Sequence, residues 1–470
     1  MPPEEFRRLA HEAADWMADY LAGVGSLPVL AQVRPGEIRG RLPSAPPEHG
    51  EDLELALADF RDIVIPGITH WNHPAFFAYF SISGSGPGIL GEMLAAALNV
   101  NAMVWRSSPA ATELEEVATD WLRQLVGLPP AFEGTINDTA SSSVLYALAA
   151  AREAAYPESH RQGLFGLPPG RVYASEHAHS SIEKGVLTLG LGQDGYRAIA
   201  SDDSFRMRPD ALRAALAEDV ASGIRPVAVV ATTGTTSTTS VDPVDAIAPI
   251  TREYGAWLHV DAAYGGPAAI VPELRPLLAG WEQADSVVVN PHKWLFTPVD
   301  CSVLFCRRPQ DLVRAFSIVP EYLRSAETGK ARDLMDYGVA LGRRFRSLKL
   351  WFVLRYFGRE GIVANLREHV RLARTFAGWV EATEGWELAA PVPFALVCFR
   401  VAPAGASAEE ADTLNQRVLD RVNATGEAFL THTRLRGRVV LRLAIGNVKT
   451  QEAHVARAWE LLRDAARAEA

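Results

Sequence analysis

The chain has 470 residues, 48% of them hydrophobic, enough to bury a large core and to form more than one domain. Its formal charge of −10 argues against a nucleic-acid partner held by a basic surface. Cys301, Cys306 and Cys398 form neither a metal-ligating nor a disulfide-like pattern, the N-terminus lacks the basic start and apolar centre of a signal peptide, and no apolar run is long enough to span a bilayer. A soluble cytoplasmic protein without metal or membrane attachment is expected.

Helical periodicity opens the chain over 4–23, with Phe6, Leu9, Ala13, Trp16 and Tyr20 on one broad face. A Pro/Gly-rich passage leads to a second helix near 51–61. This pair lacks a core of its own, so it needs a partner surface or caps its own chain. Gly84-Ser-Gly-Pro-Gly88 looks like a phosphate loop, but its proline and the lack of a preceding strand favour a turn into a helix. From about 76 to 348, short apolar runs alternate with helical patterns, the signature of a parallel sheet. After 349 come a helix, a loop at Pro403-Ala-Gly405, the strand-like Arg438–Ile445 and a helix near 450–467. Three parts are expected: 1–75, 76–348 and 349–470.

Several runs end in chemistry. Gly134-Thr-Ile-Asn-Asp-Thr-Ala-Ser-Ser-Ser143 precedes the helical Val144–Arg152; small hydroxyl residues opening a helix suit a phosphate, since free N–H groups and the dipole favour an anion, though the pattern serves equally as an ordinary N-cap. Arg171-Val-Tyr-Ala-Ser-Glu-His-Ala-His-Ser-Ser181 sets two histidines beyond an apolar run, and His179 could stack on a ring. Trp257-Leu-His-Val-Asp-Ala-Ala-Tyr-Gly265 ends a strand on Asp261, placed to hold a pyridine nitrogen protonated, with Ala263 leaving room for a flat ring. Ser286-Val-Val-Val-Asn-Pro-His-Lys-Trp294 delivers Lys293 from the end of a buried run. Standing alone it would be a surface lysine; buried, its amine is freed to attack a carbonyl, the condition for a Schiff base with pyridoxal 5′-phosphate. Ligands of parallel sheets lie beyond the carboxyl ends of the strands, so these assignments agree with one another.

Together these segments resemble the group II pyridoxal-phosphate-dependent decarboxylases, specifically the aromatic-L-amino-acid decarboxylases. The likeness runs along nearly the whole chain, through Thr69-His-Trp71, Phe76-Phe-Ala-Tyr-Phe80, Val260-Asp-Ala-Ala-Tyr264, Asn290-Pro-His-Lys-Trp294 and Leu341–Lys349. It implies an α/β fold of the pyridoxal-phosphate-dependent transferase type (fold type I): a large domain with a mostly parallel seven-stranded sheet, a small C-terminal α+β domain and an N-terminal helical segment that packs on the partner of a homodimer with shared active sites. It implies Lys293 as the Schiff-base lysine, Asp261 at the ring nitrogen and His179 stacked on the ring. Thr139, Ala140, Ser141, Asn290 and His292 would hold the phosphate, with Thr236 and Ala263 beside the cofactor. Tyr322 matches the tyrosine that returns a proton to the α-carbon. Trp71, Tyr79, Phe80 and Ile82 match substrate-pocket positions, with Asn101 and Met103 from the partner subunit, although any of the aromatics could equally be core.

The implied reaction is decarboxylation of an aromatic L-amino acid of the tryptophan, tyrosine, phenylalanine or DOPA type to its amine. Gly342 matches a position where plant enzymes preferring indoles carry glycine and those preferring phenols carry serine, which tilts the expectation to tryptophan. Ser142, Asp138 and Met335 depart from the usual glutamate, glycine or serine, and arginine. Arg442 falls where related transaminases hold a substrate carboxylate, a grip that a decarboxylase has reason to avoid. Oxidative decarboxylation to an aldehyde, usually accompanied by phenylalanine in place of Tyr322, decarboxylation of another amino acid such as histidine, and a cofactor-binding scaffold without turnover remain alternatives. Glutamate is disfavoured because no basic residue is at hand for its side chain.

Overall fold

The alternation of short β-branched runs with helices becomes a seven-stranded sheet in the computed structural model, which describes residues 1–318 and 330–469. Its strands are β1 (Glu133–Asn137), β2 (Gly170–Ser175), β3 (Tyr196–Ile199), β4 (Arg225–Thr232), β5 (Trp257–Asp261), β6 (Ser286–Val289) and β7 (Ser302–Cys306), in the order β1-β7-β6-β5-β4-β2-β3. The pairs β2–β3, β2–β4, β4–β5 and β5–β6 are parallel. Strand β7 runs antiparallel to both β1 and β6, so β1 points the same way as β6. All the strands but β7 therefore end along one edge, where polar side chains escape the apolar interior.

Strands β5 and β6 are buried throughout, as expected of strands covered on both faces. On one face the helix Ala140–Ala155 sets Val144, Ala147, Leu148 and Ala151 at helical spacing against Val172, Val230, Val288 and Leu304. Burying each valine or leucine contributes about 1.5–3 kcal/mol, and the packing fixes where the helix begins. Ser85 precedes the helix Gly86–Leu98, which has proline in its first turn, so the glycine-rich Gly84–Gly88 is a helix start as expected. Its glycines serve packing: a Cβ on Gly91 would lie 2.6 Å from Lys349 Cα.

Contacts divide the described residues into two compact units. The sheet belongs to the one formed by Ile82–Arg371 and Ala390–Leu396; the other comprises Met1–Ser81, Leu372–Ala389 and Val397–Ala470. The latter holds most of a four-stranded sheet ordered β10-β11-β9-β8, from β8 (Trp386–Leu388), β9 (Leu396–Val401), β10 (Thr431–Leu435) and β11 (Arg438–Ala444). The helices Ala408–Ala424 and Glu452–Glu469 accompany it, the first opened by a capping box in which Glu410 N–H donates to Ser407 Oγ at 3.2 Å and Ser407 N–H to Glu410 Oε2 at 2.8 Å. In the N-terminal helix Pro3–Gly23, Trp16 stacks on Tyr20 at 5.2 Å and meets Phe60 edge-on at 4.8 Å, while Tyr20 Oη lies 2.9 Å from His70 Nδ1. Part of the face expected to await a partner is thus covered by the same chain, although Phe6 stays 62% exposed. Among the described residues no helix is long and apolar enough to cross a membrane.

Candidate active site

Lys293 lies in the single helical turn Pro291–Trp294 directly after β6, its N–H bonded to Asn290 O at 3.0 Å. The next residue, Trp294, is buried, stacks on Tyr264 at 5.0 Å with only 10° or less of tilt (9°), and donates from Nε1 to His369 Nδ1 at 3.0 Å. This aromatic setting fixes the turn that carries the lysine. Burial pushes the Lys293 ammonium below its usual 10.5, and the Asp261 carboxylate opposes the shift. A lowered pKa makes the neutral, nucleophilic amine accessible.

Asp261 ends β5 and is buried, with Oδ1 accepting the Ala263 N–H at 3.1 Å. Its neighbours in register are Thr232 of β4 and Val288 of β6, which places it at the centre of the sheet edge. Ala263 is buried beside it and adds no bulk beyond its methyl group. His179 follows β2; its Nδ1 accepts the Ser181 N–H at 3.1 Å and lies 2.8 Å from Ser181 Oγ, so the neutral ring carries its proton on Nε2. Burial lowers the His179 pKa, the Asp261 charge raises it, and Lys293 and Lys184 lower it. Lysine, aspartate and histidine, far apart in the chain, thus share one electrostatic neighbourhood.

The N-terminus of the helix Ala140–Ala155 opens at the same edge, just after β1. Thr139 Oγ1 caps it by accepting the Ser142 N–H at 3.4 Å. Buried Ser143 anchors it, with Oγ 2.9 Å from Ser302 Oγ of β7 and accepting from Asn137 Nδ2 at 3.1 Å. The first N–H groups of the helix, at Ala140 and Ser141, have no acceptor within the helix and suit a phosphate. Asp138 spends its carboxylate on the Thr139 N–H at 2.6 Å, so this departure from the family takes up one donor of the loop.

Asn290 and His292 complete the anion cradle. His292 Nδ1 accepts the Cys301 N–H at 2.9 Å, and burial pushes the ring's pKa down to about 4, which keeps it neutral with its proton on Nε2. That proton faces the Asn290 amide at 3.2 Å, while Asn290 Oδ1 is buried without a partner. Turning the amide so that Oδ1 accepts from Nε2 satisfies both groups and presents the amide N–H donors to an anion. These residues fit a phosphate.

Thr236 is exposed on the turn after β4; its neighbours Thr235, Thr238 and Ser240 join hydroxyls at 2.8–3.2 Å to hold that turn. Asn101, Met103 and Gly342 come together within one chain. Asn101 Oδ1 accepts the Arg343 N–H at 2.9 Å, Asn101 Nδ2 reaches Met103 Sδ at 3.6 Å, and a Cβ on Gly342 would sit 3.9 Å from Asn101 Nδ2. Met335 joins this cluster by donating its N–H to Met103 O at 2.9 Å. Ile82 opens the same unit, partly buried. Trp71, Tyr79 and Phe80 belong to the other unit, where Trp71 stacks on Tyr79 at 5.6 Å. There Arg442 donates to Thr431 Oγ1 at 3.0 Å and Tyr79 O at 3.4 Å and lies over the Phe80 ring. Tyr322 lies outside the described residues. Sequence reasoning passed over His259, Ser286, Asp300 and Lys349, which supply charge or hydrogen bonds behind Asp261 and His292. The alternation Trp257-Leu-His-Val-Asp261 was a signal for the first of them.

A lysine, an aspartate and a histidine gathered at the carboxyl edge of a mostly parallel sheet, with a helix N-terminus ready for a phosphate, define a pyridoxal-phosphate enzyme of fold type I. The family described as "Pyridoxal-dependent decarboxylase conserved domain" matches residues 35–402. The chain is 42% identical to tyrosine decarboxylase 3 of Petroselinum crispum, over 99% of this chain and 92% of that one, and 40% identical to phenylacetaldehyde synthase of Arabidopsis thaliana, over 99% and 96%. The structure of Oryza sativa TDC with PLP and tryptamine superposes with a TM-score of 0.96 at 38% identity, covering 100% of this chain and 99% of that one. The chain belongs to the pyridoxal-dependent decarboxylases, in the group II aromatic-L-amino-acid decarboxylase family, and is a carboxy-lyase that uses pyridoxal 5′-phosphate.

Proposed function

We propose that the protein converts an aromatic L-amino acid to its amine and carbon dioxide, with tryptophan the first candidate. The observation that carries the reading is the convergence of Lys293, Asp261 and His179 at the ends of β6, β5 and β2. Relatives named for tyrosine and tryptophan decarboxylation support the substrate class. When bound, pyridoxal phosphate supplies the electron sink that makes loss of carbon dioxide feasible.

The protein's own residues do the rest. Ala140, Ser141, Asn290 and His292 hold the phosphate, with Thr139 capping the helix behind it and Thr236 and Ala263 flanking the ring. Asp261 keeps a proton on the ring nitrogen, and His179 packs on the ring face. Lys293 provides the amine that anchors the cofactor's carbonyl carbon. Trp71, Tyr79, Phe80 and Ile82 orient the aromatic side chain, and Tyr322 gives the proton to the substrate α-carbon. A homodimer completes the site, with Asn101, Met103 and Gly342 lining the partner's pocket. Leu90, Leu94 and Leu98 support this: they repeat every fourth residue along one helix and are 55%, 49% and 60% exposed, an apolar row that a second copy would cover.

A second reading is conversion to an aldehyde, favoured by the likeness to phenylacetaldehyde synthase. Incubating the purified protein with each aromatic L-amino acid under air, and identifying amine, aldehyde and peroxide, separates the two. Amine as the main product from one aromatic substrate supports the proposal; aldehyde with stoichiometric peroxide replaces it.

A further inference from the structure

Behind Asp261, strand β5 carries a buried titratable group that the reaction above does not use. Trp257, His259 and Asp261 alternate along the strand, so their side chains share one face of the sheet. All are buried, His259 completely. In the parallel register His259 sits opposite Ser286 of β6. Ser286 Oγ accepts the Trp257 Nε1–H at 2.8 Å and lies 2.8 Å from His259 Nδ1.

An indole only donates, so the Ser286 hydrogen is left for another acceptor, and His259 Nδ1 is within its reach. That direction places the neutral ring's proton on Nε2. The other tautomer would take the serine hydrogen away from Nδ1 and leave a bare lone pair, rather than an N–H, on Nε2 in the field of the Asp261 carboxylate. Nε2 is buried and has no hydrogen-bond partner. Complete burial keeps the ring uncharged, its pKa pushed down to about 4, against the opposing pull of the Asp261 charge and of a backbone hydrogen bond at Ser286. A buried N–H dipole acts on a nearby anion more than the same dipole would in water.

We propose that His259 is a positioning residue for Asp261: the Trp257–Ser286 relay orients the imidazole, and its Nε2–H dipole favours the neighbouring carboxylate, which tightens the hold on the cofactor's ring nitrogen. The proposal rests on the role given above to Asp261.

The test uses the full chain and has three parts. In apoprotein labelled with ¹⁵N-histidine, the resonance that disappears in His259→Gln must show a neutral ring protonated on Nε2, and Ser286→Ala must shift it toward the other tautomer. In titrations of the same apoproteins with pyridoxal 5′-phosphate, His259→Leu should weaken binding roughly three- to tenfold, a modest loss because the dipole acts on the carboxylate without a hydrogen bond to it. His259→Gln, which can accept from Ser286 and donate from its far end, should recover most of that loss. Thermal melts identify any variant that fails to fold, and Ser286→Ala then carries the binding comparison. A wild-type ring protonated on Nδ1, or a folded His259→Leu protein that binds the cofactor as tightly as wild type, overturns the proposal. Asp261→Ala distinguishes the two levels. If it binds the cofactor normally, the role of Asp261 itself falls; if it binds weakly while His259→Leu does not, only the inference about His259 falls.

Discussion

Replacing Gly342 with serine should change which aromatic substrate is preferred without disturbing the fold. The backbone at Gly342 is not in the left-handed region, and the nearest atom to an added Cβ is Asn101 Nδ2 at 3.9 Å, an ordinary contact. No clash or strain opposes the substitution, so the change in stability should stay within about 0.5 kcal/mol. The new hydroxyl would come within hydrogen-bond reach of Asn101, whose amide is held in place by the Arg343 N–H at 2.9 Å. A rigid polar group of this kind rewards a substrate hydroxyl and crowds a larger apolar ring. Such single-group differences are worth about 1–3 kcal/mol, roughly 10- to 200-fold in kcat/KM. The assay is the ratio of kcat/KM for L-tryptophan to that for L-tyrosine, measured on wild type and Gly342→Ser with cofactor content and thermal midpoint checked in parallel. A ratio moving at least tenfold toward tyrosine is expected. An unchanged ratio in a folded, cofactor-loaded variant would refute the assignment of Gly342 to the substrate wall.

Lys293→Ala should lose the visible absorbance of the lysine–cofactor Schiff base and at least ~1000-fold in turnover; borohydride-fixed cofactor mapping to another lysine in the wild type would contradict the assignment. Tyr322→Phe keeps the ring but removes the proton donor, so the amine-to-aldehyde ratio under air should fall while cofactor binding stays near wild type. A variant making amine at the wild-type rate would remove Tyr322 from the reaction. His292→Gln tests the neutral buried histidine by its pH dependence. The folded pKa is depressed from 6.5 to about 4, so as pH falls through this window the unfolded chain takes up a proton that the folded protein refuses, and stability is lost. The wild type should therefore lose on the order of 3 kcal/mol more than the variant between pH 6.5 and 4, read from denaturant unfolding of the two apoproteins. Parallel profiles would show that His292 is charged in the folded state.

The candidate chemistry was legible because each piece of it is local. An apolar run that ends in a polar residue is a strand delivering a side chain to its edge, and this is how Asp261, Asn290 and Lys293 could be placed before any contact was known. The helix after Thr139 and the start at Ser85 were legible for the same reason, since caps and first-turn prolines act within a few residues. His259 was passed over because its neighbours in sequence are apolar and its partner, Ser286, meets it only through strand register. The cover that Phe60 and His70 give to Trp16 and Tyr20 likewise joins segments separated by some forty to fifty positions, beyond the range of helical periodicity.

By itself, then, the sequence determined the fold type and the cofactor and singled out Lys293 as the proposed reactive lysine, because local patterning and a family-specific motif specify strand ends and what they carry. Only the tertiary structure decided that β7 runs against its neighbours so that β1 ends at the same edge as β6, that Ser302 of β7 anchors the helix after Thr139 through Ser143, and that Gly342 sits beside Asn101. Those relations depend on strand order and register. Both are set by the packing of the whole sheet against its helices, a sum over distant contacts that no short window of residues contains.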